Sequence, residues 1–330
     1  MDFFSGGRWG PPRSGGFSAA QIEQIRRTVR GTPEVMVKVT GGGKKVGAVA
    51  AHLSYISQEG EIELETDEGQ RVSREGQNAL LRDWHLELTS GQYRQPRGGR
   101  DTARRVKLVH NIVLSMPAPT PPAKVLAAAK TFARENFGLK HRYAMALHTH
   151  QQHPHVHLVV KAEGEDGRRL HIDKALLREW RQDFARMMRE QGIAANATPR
   201  AVRGQTKQAA KDAVFRAQRH GSSYAIREQV ASVVHELRKT GTVRDPAHDT
   251  LLETRKAVVA GWTGIADTLD TQGEITLACY VRYFAKHLPP VLTDRERIAV
   301  ELLRRVKAAR AASQDRREDK VRVRAMERTR

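Results

Sequence analysis

Apolar and polar residues first alternate at Glu34–Val39 (EVMVKV), which predicts a strand, and the glycine turn Gly41–Gly43 follows it. The spacing then changes. Val46, Val49, Leu53 and Ile56 recur at three and four residues, which puts one apolar stripe on a helix over 46–57. Glu61–Glu65 (EIELE) alternates again as a short strand, and Ser73–Leu88 reads as a helix with Ser73 as its N-cap. Val106–Met116 (VKLVHNIVLSM) is a strand stopped by the prolines of 117–122, and Ala123–Phe137 is a helix closed by Gly138. Two strands follow, Arg142–His150 and His155–Lys161, joined by QQHP. Asp173–Gln191 is an amphipathic helix capped by Gly192.

Beyond Lys207 the strand signals vanish, and helical periodicity, charge and alanine dominate to Arg330, broken at Pro246 and Pro289–Pro290. Residues 1–20 are rich in Gly, Ser, Pro and Arg. The expected division is a flexible arm over 1–30, an α/β domain over 31–206 and a helical basic region over 207–330.

Charge adds a partner class. The chain of 330 residues carries a net charge of +20, with a pI near 10.5. Residues 1–199 hold 30 basic against 21 acidic side chains, and 200–330 hold 27 against 16, so the shorter C-terminal part is the more basic. Such a surface collects polyanions, and nucleic acid is a better expectation than an anionic membrane face. No run approaches the ~20 apolar residues a spanning helix needs. The N-terminus has no basic segment leading into an apolar one, and the lone Cys279 cannot form an internal disulfide. The cytoplasm is the expected compartment.

The densest chemistry lies at His148-Thr-His150-Gln-Gln-His153-Pro-His155-Val-His157. Strand alternation sends His155 and His157 to one face and Val156, Leu158 and Val160 to the other. On the preceding strand Tyr143, Met145 and Leu147 form the apolar set, leaving His148 and His150 opposite. Paired strands would gather up to four imidazoles on one sheet face, which is best explained by a metal ion. His148, His155 and His157 are the favoured ligands; His150 and His153 either support them from outside or lie on the surface. The order HTHQQH lacks the Asp of HxHxDH hydrolases, and no HExxH string occurs. Tyr55 projects opposite to the apolar stripe of its helix, beside the polar His52 and Ser54. The preceding GGGKK can approach a phosphate backbone but is no Walker loop.

Together LSYISQEGEIELET (53–66), HNIVLSMP (110–117), HTHQQHPHVHLVV (148–160) and REWRQDFARMMREQGIAANATPRAVRG (178–204) resemble motifs of MobP-type conjugative relaxases, mobilization nucleases of the HUH superfamily, in particular the T-DNA border endonuclease branch. The resemblance covers about residues 34–205. It implies an α+β fold with a central antiparallel sheet flanked by helices, followed here by the helical basic extension. By motif match, Tyr55 is the nucleophile and His148, His155 and His157 hold a divalent metal, with Mg or Mn the expected ion. The implied reaction is transesterification at a transfer origin, giving a 5′-phosphotyrosyl DNA adduct and a free 3′-hydroxyl. Single-stranded or supercoiled origin DNA, relaxosome accessory proteins and a coupling protein are the implied partners. A phenol in water ionises near pH 10, so forming phenolate at pH 7 costs roughly 4 kcal/mol, which metal polarisation of the phosphate can offset.

Two departures stand out. Relatives carry Arg after YIS, where this chain has Gln58, and acids at the positions of His150 and Gln152. His150, Gln152 and His52 are the residues expected to support the centre without ligating. Lys44, Lys45, Arg94, Arg97, Arg100, Arg104 and Arg105 are candidates for the DNA path. Two rival classes share some of these features. A rolling-circle initiator usually places its histidines before its tyrosine, whereas Tyr55 precedes His148. A non-catalytic DNA-binding accessory protein would draw on Gln58, His150 and Gln152.

Overall fold

The computed structural model describes residues 15–92, 106–206 and 224–328. The chain divides into two compact units, one over Ile22–Thr198 and the other taking residues 15–21 with the chain from Pro199 onward.

The first unit is built on a six-stranded sheet in the order β1-β4-β6-β5-β2-β3, every pairing antiparallel. The strands are β1 (Met36–Gly41), β2 (Leu64–Thr66), β3 (Arg71–Val72), β4 (Val109–Ser115), β5 (Tyr143–His148) and β6 (His155–Lys161). Period-two alternation gives each central strand two inner faces, and helices cover both. Tyr143, Met145, Val156, Leu158 and Val160 pack on one side with Phe132 and Phe137 of α5 (Pro122–Phe137) and Trp180 and Phe184 of α6 (Lys174–Glu190). The opposite side carries Ala144, Ala146 and Val159, packed with Val49, Leu53 and Ile56 of α2 (Val46–Ile56). These are three of the four stripe residues read from spacing, and the fourth, Val46, packs partly buried against the same cluster. β6 is buried at every position, although it contains two histidines and a lysine.

The strand ends differ by a few residues from the sequence expectation, and β2 begins only at Leu64. The helix expected over Ser73–Leu88 is two helices, α3 (Gln77–Asp83) and α4 (Leu86–Gln92). His85 between them has φ of 48°, which turns the chain so that Trp84 and Leu86 are both buried. Ser73 is not an N-cap: its hydroxyl donates to the Glu75 carboxylate at 2.7 Å, and α3 starts four residues later. Asp173 does cap α6, accepting from the Leu176 amide at 2.8 Å.

The stretch expected as an arm through residue 30 contains α1 (Ala19–Val29), with Ile25 and Thr28 buried. Thr28 belongs to a polar cluster in which the Asn196 amide donates to Thr28 Oγ1 at 3.0 Å and to Thr198 Oγ1 at 2.7 Å. Glu34 accepts from the Thr198 backbone at 2.6 Å. These bonds join the two ends of the first unit, and a buried network of this kind is stable only when its members are satisfied.

Gly42 in the turn after β1 is required by packing, since a Cβ there would meet the Val109 carbonyl at 2.2 Å. His110 on β4 lies half-buried with an unpartnered Nδ1, and burial, reinforced by Lys107 and Arg169, pushes its pKa down to about 4. The unfolded ring titrates near 6.5, so below that pH the unfolded chain binds a proton that the folded one refuses. The corresponding stability is complete above pH 6.5 and lost as pH falls toward 4, on the order of 2 kcal/mol after discounting for partial exposure. His110→Gln should therefore flatten that part of the pH profile in urea melts; parallel wild-type and variant curves would refute the assignment.

The second unit is helical: α7 (Tyr224–Thr240), α8 (Ala247–Thr271), α9 (Ile275–Lys286) and α10 (Asp294–Arg328). α8 and α9 pack around Trp262, whose indole N–H donates to the Val202 carbonyl at 2.9 Å. Arg282 of α9 binds Asp267 and Asp270 of α8 at 2.7 and 2.5 Å. No described helix is long and apolar enough to cross a membrane.

Candidate metal centre and tyrosine

β5 and β6 pair with His148 opposite His155 and Ala146 opposite His157, so all three imidazoles share the α2 face of the sheet. Alanines at 144 and 146 leave that face thin, which makes room for α2 and the His157 ring. The ring centroids of His148, His155 and His157 lie 4.5–5.2 Å apart. Each offers one nitrogen within 4.8 Å of the others, making them the one such His/Cys/Asp/Glu group found among the described residues.

Their other contacts orient them as ligands. His148 Nε2–H donates to the Ile56 carbonyl at 2.6 Å, leaving Nδ1 for a ligand. That carbonyl is one of the last four of α2, which lack helical partners and form the negative end of its dipole. His155 Nδ1–H donates to the His153 carbonyl at 3.0 Å, leaving Nε2. Carbonyl partners of this type hold a metal-binding imidazole in one tautomer. The Nδ1 of His157 is buried without a hydrogen-bond partner. Burial lowers the pKa of all three, that of His157 to about 3, with neighbouring imidazoles adding to the effect on each. Three neutral, converging imidazoles with a buried orphan nitrogen fit a divalent metal ion.

Tyr55 stands on the exposed side of α2, 59% accessible, as its position off the stripe predicts. Its ring centroid is 5.9 Å from that of His157 and 6.0 Å from that of His52. His52 lies 6.3 Å from His157 in turn, and burial lowers its pKa. Ala51, Ser54, Tyr55, Gln58, Glu59, His148 and His150 line one cavity of about 410 Å³.

Gln58 and Glu59 have φ of 50° and 59°, and Gly60 follows at 101°. Two non-glycine residues in the left-handed region cost on the order of 1 kcal/mol or more each. This turn brings the Gln58 amide Nε2 to 2.8 Å from His150 Nδ1. Two of the three positions that depart from the family motif, Gln58 and His150, thus touch each other, a contact between residues 92 apart that no local spacing reveals.

Other candidates fall elsewhere. Gln152 is exposed and outside the cavity lining. His153 accepts from the Ala118 amide at 3.0 Å. Lys44 and Lys45 are exposed in the turn leading into α2. Arg94, Arg97, Arg100, Arg104 and Arg105 lie outside the described residues. Sequence reasoning missed the Ile56 carbonyl, for which a backbone group leaves no side-chain signal, and the lining by Ser54 and Glu59.

Residues 55–193 match the family model described as relaxase, MobA/VirD2-like, nuclease domain. Over this stretch the chain is similar to MobA/VirD2-like relaxase nuclease domains. Among curated relatives, the T-DNA border endonuclease VirD2 of Rhizobium rhizogenes is 30% identical over 142 residues, covering 38% of this chain and 30% of that protein. VirD2 of Agrobacterium fabrum is 27% identical over 208 residues, covering 56% and 43%, and that of Rhizobium radiobacter is 27% identical over 191 residues, covering 52% and 43%. The chain therefore spans less than half the length of these relatives. The relaxase match begins at Tyr55 and takes in His148, His155 and His157.

Proposed function

We propose that this protein is a DNA relaxase, a nickase that cuts one strand at a transfer origin and remains attached to its 5′ end for conjugative mobilization. The observation that carries the reading is Tyr55 placed 5.9 Å from His157 on the rim of the three-histidine cluster. Tyr55 Oη attacks the scissile phosphorus, the bond to the 3′ oxygen breaks, and a 5′-phosphotyrosyl diester forms. The phenol gives up its proton as the 3′ oxygen gains one. The diester preserves the bond for religation, which hydrolysis would lose.

His148, His155 and His157 would hold a divalent ion, and such an ion supplies charge that polarises the phosphate and orients it for in-line attack. Of Mg and Mn, an all-imidazole donor set favours Mn. The exposed Lys44 and Lys45 suit a phosphate backbone approaching the start of α2. Origin DNA is the substrate, relaxosome accessory proteins and a coupling protein are partners, and the cytoplasm is the compartment of this reaction.

Incubation with Mn²⁺ and randomised single-stranded oligonucleotides tests the reading. A protein–DNA adduct should form that survives denaturation and carries the DNA by its 5′ phosphate. Cleavage leaving only free 5′ phosphate, or the absence of any adduct, contradicts it.

A further inference from the structure

The cavity beside Tyr55 differs chemically from the metal centre with which it shares His148. Its lining contains no lysine or arginine and does contain the Glu59 carboxylate, so beyond Tyr55 and His148, where the scissile phosphate would lie, nothing in it holds a second phosphate. Apart from Glu59, the lining offers polar groups and one methyl: a carboxamide, imidazoles, a hydroxyl, a phenol ring and Ala51. At about 410 Å³ the cavity lies within the ~300–1,000 Å³ range of small-ligand pockets. Such a lining suits a flat, uncharged, hydrogen-bonding heterocycle.

Gln58 is held for recognition. Its Nε2 donates to His150 Nδ1 at 2.8 Å, which holds the carboxamide in one orientation. Gln58 Oε1 and the second amide N–H remain as an adjacent acceptor and donor. The left-handed backbone at Gln58 and Glu59 restrains the same side chain from the main-chain side. A pinned carboxamide discriminates between bases because its donor and acceptor cannot turn to suit each one.

We propose that this cavity receives one unstacked base of the single strand, next to the scissile phosphate, and that the Gln58–His150 pair reads its edge. The inference rests on the nuclease reading above, and adds Gln58 and His150 as specificity-determining residues. Base-edge pairs of this kind are worth roughly fivefold to a hundredfold in discrimination.

The test uses the full chain carrying Tyr55→Phe, which keeps the ring and cannot form an adduct, to select binders from a randomised single-stranded DNA library. The protein should enrich a preferred base at several positions. Adding Gln58→Ala should reduce the preference at one position by at least about fivefold and leave the others unchanged. His150→Ala should weaken the preference at the same position by releasing the carboxamide. Gln58→Glu, which replaces the amide donor with an acceptor, should shift that position to a different base. Unchanged preferences at the other positions show that the variants remain folded. The inference is overturned if Gln58→Ala alters no position, if it weakens all positions alike, or if no base preference is selected at all. A wild-type protein that forms adducts while base preference ignores Gln58 leaves the nuclease reading intact and sinks only this one. A Gln58-dependent preference without adducts does the reverse.

Discussion

Tyr55→Phe is expected to abolish the covalent DNA adduct, with a loss on the order of 10⁴-fold or more, the scale seen when a covalent nucleophile is deleted. Only the phenol oxygen is removed. The ring keeps its place between His52 and His157, at 6.0 and 5.9 Å. Because the side chain is 59% accessible, folding stability should change by less than about 0.5 kcal/mol. Single-strand affinity should also stay within about tenfold, since at most one hydrogen bond is lost. The combination of intact fold, near-intact binding and no adduct separates a nucleophile from a structural tyrosine. If the phenylalanine variant still becomes covalently linked to DNA, another residue attacks the phosphate.

The second large effect concerns the three histidines. His157→Ala removes the ring nearest Tyr55, and Mn²⁺ affinity measured by calorimetry should fall by at least about a hundredfold, with adduct formation falling in parallel. His150→Ala, outside the cluster of three, should leave Mn²⁺ affinity within a few fold. The pH dependence provides an independent check. An imidazole must be neutral to bind metal, and burial lowers the pKa of all three rings, that of His157 to about 3. Between pH 8 and 6.5 little proton release should accompany binding. Below 6.5 the affinity should fall less steeply than for three solvent-exposed histidines. Equal Mn²⁺ affinity in wild type and His157→Ala would place the ion elsewhere.

Each candidate was legible in sequence to a different depth. The histidine face was readable because strand alternation is local: once His155–Lys161 is a strand, His155 and His157 must point together, and the apolar residues beside His148 orient it. Tyr55 was readable for the same reason, since α2 exposes whatever lies opposite Val49, Leu53 and Ile56. The break at His85 was not, because it follows from burying Trp84 and Leu86 in a core assembled from remote segments. Nor was α1, where Ile25 and Thr28 gain burial only once the first unit closes on Asn196 and Thr198.

Local spacing along the chain sets the faces: which side chains leave each strand or helix together, and that three histidines and one tyrosine are not spent on the apolar cores. Periodicity carries that information because it depends on backbone geometry over a few residues. What those faces meet is settled by long-range packing. Antiparallel register set His148 against His155. The packing of α2 on the thin, alanine-bearing part of the sheet brought the Ile56 carbonyl to His148 and Tyr55 to His157. The turn after α2 joined Gln58 to His150. These distances depend on how whole elements pack, which no local repeat encodes.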